Sequence, residues 1–215
     1  MPRLKLVVPA TLAVALALPA LAAATLIDIG KAEPDVQPSC PERPCLAVSR
    51  TTGFQAKVGA TRGLMEIKQD GRLVSWTIAL GKPGKKQTDF FNDKLGGEAQ
   101  AQITLIRPGR KLRYRVMARG PVVKLTKYFG TTVEFPLERS LAVKKGYLVA
   151  LTVPTWAPAL AVNQPGDTSW RASRGKGKCE DTQAQSAQDV NSVAQYYCLY
   201  RTARLTYTAR VISTP

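Results

Sequence analysis

The sequence predicts an all-β fold, a single antiparallel β-sandwich of jelly-roll type. Three observations carry that expectation. Short apolar runs of strand length recur along residues 46–215 with Gly and Pro between them, the spacing of a sandwich or barrel. Several of these runs alternate strictly between apolar and polar residues, as half-buried antiparallel strands do. An apolar fraction of 45% with 21% charged residues is that of a globular chain, and 215 residues suffice for one sizeable domain.

Residues 1–24 read as an export signal: Arg3 and Lys5 open it, Leu6 to Leu18 form an apolar stretch, and small residues follow. A-x-A cleavage sites stand at Ala20-Leu21-Ala22 and Ala22-Ala23-Ala24. An uncleaved anchor is the competing reading, because the apolar character runs on through Thr25-Leu26-Ile27 for about 22 residues, roughly a bilayer's span. Residues 25–45 read as an N-terminal linker, with Pro34, Pro38, Pro41 and Pro44 keeping it extended. The sandwich is then expected over 46–215.

Its strands are expected at Leu46 to Arg50, Leu64 to Gln69, Leu73 to Leu80, Gln102 to Arg107, Leu112 to Ala118, Thr131 to Leu137, Leu148 to Val153 and Leu199 to Ile212. Leu112, Tyr114 and Val116 alternate with Lys111, Arg113 and Arg115, which makes one face apolar and the other cationic. Leu205, Tyr207, Ala209 and Val211 alternate with Arg204, Thr206, Thr208 and Arg210 in the same way. Gln69-Asp70-Gly71-Arg72 carries the Asp-Gly pair of a two-residue type I′ hairpin. Between Cys179 and Tyr196 the chain is poor in apolar residues, so one short helix or long loop is expected there.

The charge is one-sided: 31 Lys and Arg against 15 Asp and Glu, a formal +16, and no histidine. Removing residues 1–24 takes away two basic and no acidic side chains and leaves +14, so the basicity belongs to the mature chain. Without histidine there is no Ser-His-Asp triad, no Cys-His pair and no imidazole metal ligand. Four cysteines in an exported chain point to disulfides, and local pairing, Cys40 with Cys45 and Cys179 with Cys198, is preferred. A four-cysteine zinc site is the alternative, but structural zinc favours closely spaced cysteine pairs. No phosphate loop, dinucleotide fingerprint or EF-hand is present, and no metal, nucleotide or other cofactor is expected.

Candidate ligand-binding residues fall in two groups. Trp156, in Pro154-Thr155-Trp156-Ala157-Pro158, and Trp170 are read as loop rings that would stack on sugars, with Asp167 and Arg171 bonding hydroxyls beside them. Trp76, inside an alternating strand, is read as core. Lys82, Lys85 and Lys86 in a Gly/Pro loop, the turn around Arg110, and the segment Arg171, Arg174, Lys176 and Lys178 would form a polyanion site if they share one end of the sandwich. Glu66, Glu134 and Glu138 would supply carboxylates for a glycoside hydrolase. Ser173-Arg174-Gly175-Lys176 matches the S-x-x-K pattern of serine acyl-enzymes, and Phe90 to Gly97 holds oxygen ligands near two glycines that would suit calcium. For these last two, a basic surface loop and a plain turn are the competing readings.

The run Phe135 to Leu151, with its Lys144-Lys145-Gly146 turn feeding an apolar strand, resembles the corresponding turn of jelly-roll sandwiches of the galactose-binding-like class. It is similar in style to secreted bacterial β-sandwich proteins. The resemblance implies the fold and no activity, and no sugar- or calcium-binding motif carries over. The function expected is that of an exported, non-catalytic binding protein of the envelope or extracellular space, taking a glycan or an anionic polymer. An envelope-tethered adaptor for another protein and a carboxylate-dependent hydrolase are the alternatives. Contact with a membrane is expected only through the N-terminal segment, if it is retained.

Overall fold

A computed structural model describes residues 24–182 and 189–213. In chain order its elements are β1 (Leu26–Ile29), β2 (Val48–Val58), β3 (Thr61–Arg62), β4 (Gly71–Ala79), helix α1 (Lys85–Lys94), β5 (Gln100–Pro108), β6 (Arg113–Arg119) and β7 (Val123–Lys124). There follow β8 (Thr132–Val143), β9 (Leu148–Ala157), β10 (Leu160–Ala161), β11 (Ser169–Ala172), β12 (Val193–Gln195), β13 (Cys198–Arg201), β14 (Arg204–Leu205) and β15 (Tyr207–Ser213). The export signal expected over residues 1–24 lies, apart from Ala24, outside the described residues.

Eight of these strands pair as one long hairpin folded over on itself: β1 with β15, β2 with β9, β4 with β8 and β5 with β6, all antiparallel. The pairs alternate between a small sheet of order β1-β15-β4-β8 and a large one of order β12-β6-β5-β9-β2-β11-β13. That is an all-β sandwich with the two nested sheets of a jelly roll. The large sheet is strongly curled. Its two edge strands, β12 and β13, are separated in sequence only by Tyr196 and Tyr197, and the Tyr196 ring packs on Phe54 and Tyr114 with centroids 5.6 and 4.7 Å away.

One apolar cluster joins the sheets, with Leu73, Trp76, Ile78 and Val211 from the small sheet and Ile103, Leu105, Val149 and Leu151 from the large one. Tyr207, fully enclosed, crosses between them and donates its hydroxyl to the carbonyls of Val149 and Gly53. Thr52, Thr152 and Thr104 link β2, β9 and β5 through buried hydroxyl contacts of 2.8 and 2.7 Å, so these polar side chains satisfy one another. Trp76 is core, as expected, at 1% exposure.

Several expected elements differ. Residues 26–29 are not linker: β1 is a sheet strand, and the Arg204 guanidinium fastens the following segment by donating to the carbonyls of Ala32 and Pro34. Arg204 is thereby buried rather than on a solvated face. Leu64 to Gln69 is not a strand, since only Glu66 makes an isolated bridge, to Leu148, while Met65 and Ile67 drop into the core. Asp70-Gly71 closes no type I′ hairpin. Asp70 instead accepts the Lys145 backbone N–H, and a Cβ on Gly71 would meet the Ile212 carbonyl oxygen at 2.2 Å, so glycine is needed for strand approach. Leu112 belongs to a 3-10 turn before β6. The single strand expected over Leu199 to Ile212 is broken into β13, β14 and β15, because the chain leaves the large sheet there for the small one. In the segment from Cys179 to Tyr196, residues 183–188 lie outside the described residues, and the rest supplies β12, paired with β6, with no helix among the described residues.

Both disulfides are formed with the expected pairing, at S–S distances of 2.04 Å for Cys40–Cys45 and 2.11 Å for Cys179–Cys198. They suit an oxidising, extracytoplasmic environment and exclude the four-cysteine zinc site. Among the described residues no helix is long and apolar enough to cross a membrane.

Candidate functional site

The register of the curled sheet assembles a basic cleft at one of its ends. Across four neighbouring strands Arg62 stands opposite Lys57, Lys57 opposite Ser169, and Ser169 opposite Arg201. Opposed residues share a face of the sheet with Cβ atoms about 5 Å apart, so Arg62 and Lys57 are direct neighbours and Arg201 lies about 10 Å beyond Lys57. Arg171, two residues along β11 from Ser169, joins them, and the hollow they line measures about 340 Å³. Asp167 is its one carboxylate, held over the β2–β3 turn about 3.9 Å from where a Cβ on Gly59 would lie.

Like charges placed directly opposite one another on a sheet repel. Among the described residues Lys57, Arg62, Arg171 and Arg201 have no carboxylate partner, although eight ion pairs occur elsewhere on the chain. Arg171 is held in place by donating to the carbonyls of Tyr196 and Tyr197, which orients it without neutralising it. The arrangement therefore offers four cations against one carboxylate, partly fixed by the backbone. It can attract a multiply charged anion.

Strand direction decides which expected basic loops meet. β2 and β5 both run antiparallel to β9, so Val58 and Pro108 lie at the same end of the sheet. The exposed turn with Arg110 follows Pro108 and shares the end that carries the cleft. Lys82, Lys85 and Lys86 precede β5, and α1 packs on Trp156 near the far end of β9, with Phe91 and Trp156 centroids 4.8 Å apart. They stand at the opposite end, on the order of 25 Å away along the strands. The three basic loops thus do not converge, and Lys85 is paired with Asp89 on its own helix.

The two tryptophans read as sugar platforms are core residues. Trp156 lies inside β9 at 0% exposure, its indole N–H donating to Asn92 Oδ1 at 3.0 Å and the Gly97 carbonyl at 2.9 Å. Pro154 does not interrupt the strand because it sits at the irregularity where β2 and β9 shift register. Trp170 lies in β11 at 4% exposure, stacked on Tyr200 at 4.6 Å, with room made by Gly53, where a Cβ would come within 2.9 Å of the ring. Neither ring presents a face to solvent.

The remaining candidates are structural. Glu134 accepts from Ser75 and Arg210 in the small sheet, while Glu66 pairs with Lys68 beside the large one; Glu138 is exposed on β8. Ser173 is buried and accepts the Thr52 backbone N–H, whereas Lys176 is exposed in a turn. Phe90 to Lys94 is the end of α1 rather than a loop: Asn92 serves Trp156, and Asp93 pairs with Lys94. Among the described residues no group of three or more His, Cys, Asp or Glu side chains could hold a metal.

Lys57, Arg62 and Arg201 were not singled out by sequence reasoning. The signal for the first two is the two-residue spacer Gly59-Ala60 between Val58 and Thr61, which makes Lys57 and Arg62 cross-strand neighbours. Arg201 becomes a neighbour only through a pairing of β11 with β13 that no local pattern announces. No family model, no curated protein and no solved structure matches the chain.

Proposed function

We propose that the protein is an exported, non-catalytic binding protein of the cell envelope or extracellular space, and that its ligand is an anionic polymer. The observation that carries this reading is the row of unpaired cations, Arg62, Lys57 and Arg201 with Arg171, at one end of the curled sheet. A row of side chains spaced along the sheet suits a chain of repeated anionic groups better than a single compact anion. The neutral-glycan reading has lost its stacking residues to the core.

Retention on immobilised heparin, used as a generic sulfated polymer, tests the reading. Wild-type protein is expected to be retained and to elute as salt screens the contacts. The pair Lys57→Glu and Arg62→Glu should elute at clearly lower salt. The pair Lys82→Glu and Lys86→Glu, at the opposite end, should change retention much less. Equal losses from both pairs would show that net charge, not the cleft, governs binding.

A further inference from the structure

A second pocket lies on the other side of Arg201, between the Cys40–Cys45 loop and the segment that follows β11. It measures about 370 Å³, and its walls include Leu46, Val48, Leu160 and Ala203, with Trp170 and Arg174 among the residues that line it. Arg174 is 6% exposed and Trp170 4%. The guanidinium donates to the carbonyls of Ser49 and Cys179 and to the Tyr200 hydroxyl, all neutral oxygens, at 2.8, 3.4 and 2.7 Å.

Two features of this pocket are unresolved within the protein. Among the described residues Arg174 Nε and Trp170 Nε1 are buried donors without an acceptor. A buried donor left unmade costs about 1–3 kcal/mol, and native interiors rarely leave one. In addition, Arg174 has no carboxylate partner among the described residues, and the one acidic residue at the pocket, Glu180, sits in an exposed turn without pairing to it. Buried charges are ordinarily paired. Both deficits are of the same sign: the pocket lacks an acceptor that carries negative charge, and the surrounding walls are largely apolar.

We propose that this pocket binds an amphipathic monoanion of fatty-acid type, with its carboxylate taken by Arg174 and Trp170 and its alkyl chain lying on Leu46, Val48 and Leu160. The site adjoins the basic cleft, with Arg201 lining both, but has its own head-group donors and apolar walls. It adds to Arg201 a buried cation, Arg174, and owes part of its affinity to apolar burial.

Calorimetric titration with decanoate, and with decanol as the uncharged control, tests it. Decanoate should bind saturably at one site, with decanol at least about tenfold weaker, the loss expected when a charged hydrogen-bonding head is replaced by a neutral one. Arg174→Gln should weaken decanoate by a similar factor. Because that residue is buried and its replacement could unfold the chain, Leu46→Trp provides a second variant: Leu46 is 45% exposed at the pocket rim, and the larger ring should obstruct entry without disturbing the core. Lys57→Glu with Arg62→Glu should leave decanoate binding unchanged, which separates this proposal from the polymer reading. Absence of decanoate binding, equal affinity for decanol, or wild-type affinity in Leu46→Trp would each overturn the assignment.

Discussion

Replacing Trp156 by Phe separates a core indole from a ligand platform in one measurement. The six-membered ring of Phe retains much of the packing against Phe91 and Phe129, whose centroids lie 4.8 and 5.6 Å from the Trp156 ring. What it removes is the indole N–H, which serves two acceptors, Asn92 Oδ1 and the Gly97 carbonyl. Leaving those oxygens without their donor costs about 1–3 kcal/mol. Truncation to Ala adds the lost ring and its cavity and should cost about 3–5 kcal/mol. Urea unfolding followed by far-ultraviolet circular dichroism reads both. With a slope of about 2 kcal/mol per molar urea, a loss of about 2 kcal/mol lowers the midpoint by about 1 M in Trp156→Phe. Retention on immobilised heparin should stay at the wild-type salt. An unchanged midpoint together with lost ligand retention would refute the core assignment and restore the platform reading.

Replacing Cys179 and Cys198 together by Ala should lower stability by about 3 kcal/mol from the loop they close, and the Cys40 and Cys45 pair by about 1 kcal/mol less, because their loop is shorter; parallel denaturant titrations compare the two, and equal losses would defeat the loop-closure reasoning. Burial raises the hydroxyl pKa of Tyr196 and Tyr207 above the usual tyrosine value of 10.0. Below about pH 10 both are protonated in the folded and unfolded chain and stability does not depend on them; above it only the unfolded chain ionises, so stability should fall by up to about 1.4 kcal/mol per pH unit for each. Unfolding free energies measured from pH 9 to 12 check this, and a flat profile would contradict it. With no histidine in the chain, no imidazole step should appear between pH 5 and 8.

The strands legible in the sequence are those whose two faces meet different surroundings. Tyr207, Ala209 and Val211 point into the core and Thr208 and Arg210 away from it, so alternation marks β15 plainly. The second half of β2 was missed for the opposite reason. Thr51 to Gln55 are all buried, enclosed on both faces, and a Thr-Thr-Gly stretch shows no alternation and little apolar character. Helix α1 was hidden because its apolar content is two adjacent phenylalanines, of which only Phe91 is buried. The readable sign at its start is the three-residue spacing of Gly84 and Gln87, whose side-chain oxygen accepts the Gly84 backbone N–H. At the cleft, Asp167 and Arg171 were found because they flank Trp170, although that ring turns inward. The cations that complete the hollow depend on pairings between strands distant in sequence, and charge counting along the chain does not show those.

The nested pairing of the jelly roll has a consequence in time. Asp28 on β1 meets Arg210 on β15 across 182 residues, an ion pair of 3.2 Å between strands adjacent in space and far apart in sequence. At a synthesis rate of 5–20 residues per second the first strand waits roughly 10–40 s for its neighbour. Until then the small sheet cannot close, and its apolar inner face has no permanent cover. Closure of the small sheet therefore waits for β15 and is slow in the manner of non-local β topologies. A chain with this architecture has a long interval in which it can be kept extended, and a correspondingly long one in which it must be kept from self-association.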